Sequence, residues 1–259
     1  MSSLSYWQQG SRRPEREESL RAVGALEEIL DLPPRSLLGL LGPPKPRGRG
    51  PGVAYSTILR QANVLAGLLD DLDAVADDRR LHIMSMYESL RIGPDRSTLS
   101  RETLQVVRAH EGSADRYIMI YRGDPGCDVG RVSVDALEDC RVGRVRRDAE
   151  DALVVAELLF DRALGVGDTH VLRYRVRDGS GAEATDYERG FRFPAGQYVL
   201  RIAFDQGALP VRIHRFSQRG PGAGEHTAED VTLNAHHAVH LAAASLHPGL
   251  VGFRWAWPY

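Results

Sequence analysis

Near residue 80 the hydrophobic period of this chain changes, and no other feature constrains its fold as much. Upstream, apolar residues recur at spacings of three and four. Downstream they alternate or run apolar over strand length, at 81–88, 116–121, 152–160, 170–176, 191–193, 198–204, 211–216 and 253–257. Gly/Pro/Asp turns separate these segments, for example Gly93-Pro94-Asp95, Gly123-Asp124-Pro125-Gly126 and Pro248-Gly249. Many short strands without helical periods between them predict an antiparallel β-sandwich over residues 79–259. Arg173, Arg175, Arg192, Arg201, Arg212 and Arg215 alternate with apolar residues, which predicts one buried face and one charged face in water. Glu157, Asp161, Glu183, Asp186 and Glu188 offset these arginines, so the sheet itself does not read as a nucleic-acid surface.

The upstream part divides by composition. Residues 1–42 read as helical, with Leu20, Val23, Leu26, Ile29 and Leu30 on one face, Ser19 or the Pro14-Glu15 pair opening the helix, and Pro33-Pro34 ending it. Ser36 to Leu41 adds a short apolar turn of helix. Residues 43–54 form a Pro/Gly/Arg linker, a solvated spacer with Lys45, Arg47 and Arg49. Residues 55–78 predict one amphipathic helix with its stripe at Ile58, Leu59, Ala62, Leu65, Ala66, Leu69 and Leu72. Asp70, Asp71, Asp73, Asp77 and Asp78 at its end lack the glycine and twelfth-position glutamate of a calcium loop and read as a solvated helix end. The fold class expected is therefore α+β.

Charge narrows the function classes. Formal net charge is −2, with 33 basic and 35 acidic residues, so no global field favours nucleic acid or an anionic membrane. The two cysteines, Cys127 and Cys140, are too few for a disulfide framework or an all-cysteine zinc site. No basic-then-apolar leader opens the sequence and no run approaches a membrane span, which predicts a soluble, cytoplasmic protein with reduced thiols.

The segment Ser2-Ser-Leu-Ser-Tyr-Trp-Gln-Gln-Gly-Ser-Arg-Arg-Pro14, followed by Leu26-Glu-Glu-Ile-Leu-Asp-Leu-Pro33, resembles the second half of the Xre (lambda-repressor-like) helix-turn-helix family of regulators, of actinobacterial type. Leu4, Trp7, Gly10, Pro14, Leu26, Leu32 and Pro33 fall on that pattern. Gln8 stands where the family often has Glu, and the family's first two helices would precede residue 1. The resemblance implies a partial helix-turn-helix over 1–42, with a recognition helix whose Leu4 and Trp7 turn inward. It implies double-stranded DNA as partner once the domain is completed upstream, contacted by Ser2, Ser3, Ser5, Tyr6, Gln9, Arg12 and Arg13. Residues 79–259 would then be a sensor or assembly domain for an unknown small ligand or protein. A homodimer seamed on Ile58, Ala62, Leu65, Leu69 and Leu72 is one expectation; that stripe packed on the chain's own sandwich is the favoured one.

Two function classes follow. One is a DNA-binding transcriptional regulator, or its truncated remnant, carrying a β-sandwich binding domain. The other is a β-sandwich that binds a ligand or partner and no DNA. No cofactor or metal is expected. His236, His237 and His240 read as polar strand residues, since His236 and His240 would stand about 13 Å apart along a strand. No nucleophile elbow, phosphate loop or dinucleotide fingerprint occurs, and the Gly220–Gly224 run lacks a lysine. The chain is not expected to be an enzyme unless His236, His240 or Cys127 line one cleft together.

Overall fold

The computed structural model describes residues 14, 17–33, 36–40, 52–75 and 79–258. The chain divides into two units, Met1–Gly50 and Pro51–Tyr259.

In the first unit, α1 (Glu17–Ile29) and α2 (Ser36–Leu40) are described. Ser19 lies inside α1, so the helix opens before it, on the Pro14 side. Asp31, at a φ of 51°, ends it. Glu27 is buried and its Oε1 accepts the Leu37 and Leu38 backbone N–H groups at 2.8 and 2.9 Å. One carboxylate thus satisfies two of the donors that a helix start leaves open. The expected apolar face is only partly buried: Val23 is covered, while Ile29 and Leu30 are exposed. A helix-turn-helix is not shown. Ser2, Ser3, Leu4, Ser5, Tyr6, Trp7, Gln9, Arg12 and Arg13 lie outside the described residues, as does most of the linker.

The second unit begins with two helices where one was expected, α3 (Tyr55–Ile58) and α4 (Ala62–Asp70). Leu59 is extended, at φ −142° and ψ 127°, and breaks the ladder between them. The stripe is spent inside the same chain. Leu65, Leu69 and Leu72 are buried and pack with Ile118, Leu153 and Val155, which leaves no helical face of that stripe for a two-fold seam.

The strands are β1 (Leu81–Ile92), β2 (Thr98–Ala109), β3 (Ala114–Arg122), β4 (Val132–Glu138), β5 (Arg141–Asp148), β6 (Leu153–Leu164), β7 (Thr169–Asp178), β8 (Asp186–Phe191), β9 (Ala195–Phe204), β10 (Arg212–Gln218), β11 (Glu225–Val231), β12 (Ala238–Leu246) and β13 (Gly249–Ala256). They form a six-stranded sheet in the order β12-β9-β1-β2-β7-β4, a four-stranded sheet β11-β10-β13-β8 and a three-stranded sheet β3-β6-β5. One pairing departs from the antiparallel expectation: β1 and β9 run parallel, from Ser85↔Gln197 to Ile92↔Phe204. The chain makes most of the domain between these two strands, which supplies the long crossover that a parallel pair needs.

Two cores lie against the six-stranded sheet. Val107, Leu172, Tyr174 and Val176 from β2 and β7 meet Met119, Val154, Ala156 and Leu158 of the three-stranded sheet. Met86, Leu90, Tyr198 and Leu200 from β1 and β9 meet Phe191, Ile213, Phe253 and Trp255 of the four-stranded sheet. β6 is buried from Leu153 to Leu158 without alternation, because α4 covers its other face. Glu157, expected among surface carboxylates, sits in that run with 3% exposure. It accepts from Arg116 and from the Arg144 backbone and guanidinium, while Arg116 and Arg144 also donate to Asp73 O and Leu72 O at 2.8 and 2.7 Å. The clamp ties the end of α4 to β3, β5 and β6.

Candidate binding cleft

The β12 strand is terminal in its sheet, paired only with β9. Phe204 N–H donates to His237 O at 2.9 Å, which fixes the parity of the antiparallel register. Odd-numbered residues of β12 direct their N–H and C=O toward β9, and even-numbered ones direct theirs away. The Ala238 carbonyl, which accepts from Asn234 N–H at 3.0 Å, is one such outward group. His240, Ala242 and Ala244 follow it in turning their backbone polar groups to the open side, and of these Ala242 and Ala244 line the cleft.

That open side faces a cleft of about 580 Å³, walled by residues 241–246 of β12, by 215–218 of β10 with Arg219 just beyond it, and by 249–251 of β13. The volume is that of a small-molecule or short-peptide site. The chain turns the corner between the two sheets at His247-Pro248-Gly249. Gly249 has φ +149°, and a Cβ there would stand 2.6 Å from the Gln218 carbonyl oxygen, so a larger residue would push β13 off β10. Gln218 is 5% exposed and lines the cleft. Its side chain has one hydrogen bond among the described residues, a long one of 3.5 Å from the Arg254 guanidinium to Oε1, so its Nε2 donors are unpartnered. The ionisable side chains of the lining are Arg215, Arg219, His226 and His247, with no carboxylate among the described residues of the wall. Arg215 is neutralised by Glu229 at 2.5 Å; Arg219 is exposed and has no partner among the described residues.

Other edges of the sheets are guarded. The terminal strand β4 carries Asp135 and Glu138, β11 carries Glu225 and Asp230, and β8 carries Asp186 and Glu188. The edges of the three-stranded sheet carry Arg116 and Arg122 on β3, and Arg141, Arg144, Arg146 and Arg147 on β5. Charges of this kind discourage edge-to-edge pairing. From Leu241 to Leu246, β12 has none.

Another basin, of about 470 Å³, lies on the outward face of β1, β2 and β7, between Tyr87, Arg91, Arg175 and Arg177. Its arginines are largely compensated. Glu102 accepts from both Arg173 and Arg175, and Asp135 accepts from Arg177 at 2.8 Å.

The groups considered for catalysis are not brought together. His236 sits in an exposed turn and His240 on the outer face of β12 opposite Arg201. Cys127 is buried in the other core, where its thiol donates to Asp178 at 3.4 Å. None of the three lines the 580 Å³ cleft. Burial pushes the Cys127 pKa up to about 11, which leaves a thiol where a nucleophile would need a thiolate. Among the described residues no cluster of three or more His, Cys, Asp or Glu could hold a metal ion. No helix among them is long and apolar enough to cross a membrane.

No family model matches the chain, and no curated protein matches it. Similar solved structures include a candidate protease from Parabacteroides distasonis (TM-score 0.45, 10% identity, covering 68% of this chain and 40% of that one). A two-domain M1 zinc metallopeptidase (0.36, 14%, covering 68% and 43%) and yeast LTA4 hydrolase (0.33, 9%, covering 68% and 29%) are similar in the same way. The chain spans less than half the length of each. The expectation of a DNA-binding transcriptional regulator finds no support in these comparisons and is withdrawn. The seven residues assigned to DNA contact offer no geometry in its favour, since all lie outside the described residues. No peptidase chemistry is carried over from likenesses this distant.

Proposed function

We propose that this chain is a binding protein, acting by capture of a ligand or partner and not by catalysis, with the cleft beside β12 as its site. The observation that carries the reading is the conjunction at that cleft of an unguarded strand edge, the solvent-open Nε2 of Gln218 with no partner among the described residues, and the unpaired Arg219. A few polar groups left open in a cleft give a bound molecule its orientation and specificity. A raised thiol pKa at Cys127 supports the absence of nucleophilic catalysis. The free thiols Cys127 and Cys140 support a reducing, cytoplasmic setting as part of the same reading. The resemblance of the amino-terminal segment to the Xre family enters only as a proposal about ancestry.

Titration of the full chain with decanoate and, separately, with short acidic peptides tests the site by backbone-amide NMR. Saturable shifts at residues 241–251 are expected. Saturable binding that leaves those amides unmoved, or no binding of either probe at millimolar concentration, removes the proposal.

A further inference from the structure

The cleft does not face a sheet surface; it runs along the hydrogen-bonding edge of a strand. Six consecutive residues of β12, 241–246, line it, and consecutive lining residues mark an edge because side chains on one face would recur at every second position. Ala242 and Ala244 turn their N–H and C=O groups to that edge, and no charge, proline or long side chain from Leu241 to Leu246 obstructs them. The regular run from Leu241 to Ala244 extends over about 13 Å before Ser245 turns left-handed at φ 55°, and an added strand occupies about 4.8 Å of width. A cleft of about 580 Å³ is on the scale of one such segment, and the wall of β10 and β13 opposite it leaves no place for a second full sheet. The unpartnered Nε2 of Gln218 and the unpaired Arg219 guanidinium supply donors toward the same space, with His226 and His247 on the rim. Donors without a carboxylate among them fit an acidic occupant.

We propose that β12 is a strand-addition site, which takes an extended acidic segment of a partner polypeptide. The segment's backbone pairs with Ala242 and Ala244, its small or apolar side chains fill the cleft, and a carboxylate side chain reaches Gln218 and Arg219. Main-chain pairing supplies the affinity, and Gln218 and Arg219 the selectivity, the division of labour general to strand addition. This assignment rests on the cleft being the binding site, as proposed above, and goes beyond it by naming the occupant.

The test uses the full chain and a defined array of labelled hexapeptides in which valine, threonine or alanine alternates and each peptide carries two aspartates. Saturable binding of one or more is expected. The tightest peptide is then remade with alternate amides N-methylated, which removes its pairing donors on one edge and keeps its charge. The remade peptide should bind about tenfold more weakly, the loss expected when hydrogen bonds are deleted. Ala242→Pro, which removes an outward N–H, should weaken the parent peptide to a similar degree without shifting the melting temperature much, since proline is tolerated on edges. Gln218→Met and Arg219→Ala should each weaken the aspartate peptide more than its asparagine counterpart. Undiminished binding of the N-methylated peptide to wild type overturns strand addition even if the proline variant fails to fold. Decanoate shifting residues 241–251 while no peptide binds overturns strand addition and leaves the binding cleft standing. Failure of both probes removes the cleft itself.

Discussion

Two carboxylates hold this molecule together, and they are held in different ways. Glu88 is in the middle of the six-stranded sheet, on its covered face, with no exposed surface. Its Oε1 accepts from Thr103 and Arg189 at 3.2 and 3.3 Å, its Oε2 from Tyr187 and Tyr198 at 2.9 and 2.8 Å, and Arg101 stands 4.0 Å away. Glu157 also meets two arginines, but Arg144 is well exposed and the network opens to solvent at the end of α4. Burial pushes both pKa values up, and in both the partners win and the net shift is downward. For Glu88 these are Arg189, Arg101 and the two tyrosines; for Glu157 they are Arg144 and Arg116. The difference lies in what remains after a cut. Remove Glu88 and two guanidinium groups stay behind in the dry interior. Remove Glu157 and its arginines turn toward water.

The largest expected effect follows directly. Glu88→Gln should cost about 3–5 kcal/mol, the range seen when one partner of a buried ion pair is deleted. Chemical denaturation read by tyrosine and tryptophan fluorescence checks it. A loss under about 1 kcal/mol would mean that water reaches the network and that the two carboxylates are alike. Glu157→Gln should cost less, about 1–3 kcal/mol, and should loosen α4 selectively. Hydrogen exchange on Ala62–Asp70 should rise while that on β9 stays unchanged. Both carboxylates have folded pKa values below their unfolded ones. The stability they contribute is therefore present above the unfolded carboxylate pKa and is lost as pH falls through the lowered folded values.

The same comparison explains what could be read from the sequence. β1, β3, β6, β7, β9, β10 and β13 announce themselves because their covered positions are apolar. β2 does not. Its covered row runs through Arg101, Thr103 and Gln105, all at 3% exposure or less, before it turns apolar at Val107 and Ala109, while Leu99 and Leu104 on its other face are 41% and 39% exposed. The pattern is inverted because Arg101 and Thr103 serve the Glu88 network, and only the pairing of β2 with β1 and β7 reveals it. Glu157 was misread for the opposite reason, as one charge in an apolar run whose arginine partners come from other strands. β4, β5 and β11 are edge strands that the pattern does not announce, and β12 is announced only by the reading of its histidines as strand residues. The cleft had no positive signal at all. An unguarded edge is recognised by the charges it lacks, and only the strand order shows that residues 241–246 form an edge.

A third carboxylate sharpens the contrast with the opposite sign. Asp124 accepts from Thr98 Oγ1 at 3.1 Å, and its pKa is pushed up to about 7, first by burial and then by the nearby Asp186 and Asp178, with Thr98 and Arg122 opposing. A raised folded value favours the protonated form. The stability it contributes is complete below the unfolded pKa and is lost as pH rises through about 7. Asp124→Asn keeps an acceptor for Thr98 and removes the titration. It should therefore raise stability by about 1–2 kcal/mol at about pH 8 and change it little at about pH 4. Melting curves at the two pH values check this, and a variant less stable than wild type at the higher pH would show that partners, not burial, govern Asp124.

The smallest expected effect belongs to the water-facing side of the four-stranded sheet, where charge pairs sit in high dielectric. His214 on β10 bridges Glu225 and Asp230 on β11, at 3.0 Å from Nε2 and 3.2 Å from Nδ1. Those two carboxylates raise its pKa, Glu225 most, and Arg212 and Arg254 share the same acids. A histidine with a raised folded pKa contributes stability that is complete below its unfolded value, near 6.5, and that disappears as pH rises through the folded value. His214→Gln should therefore lower the melting temperature by a degree or two at about pH 5.5 and leave it unchanged at about pH 9, since exposed pairs contribute about 0.2–1 kcal/mol. Salt should erase the difference at the lower pH, because solvent-exposed charges are screened within about 10 Å at 0.1 M ionic strength. An effect that persists in high salt, or one that grows with pH, would place His214 with Glu88, among groups whose partners act in a dry interior.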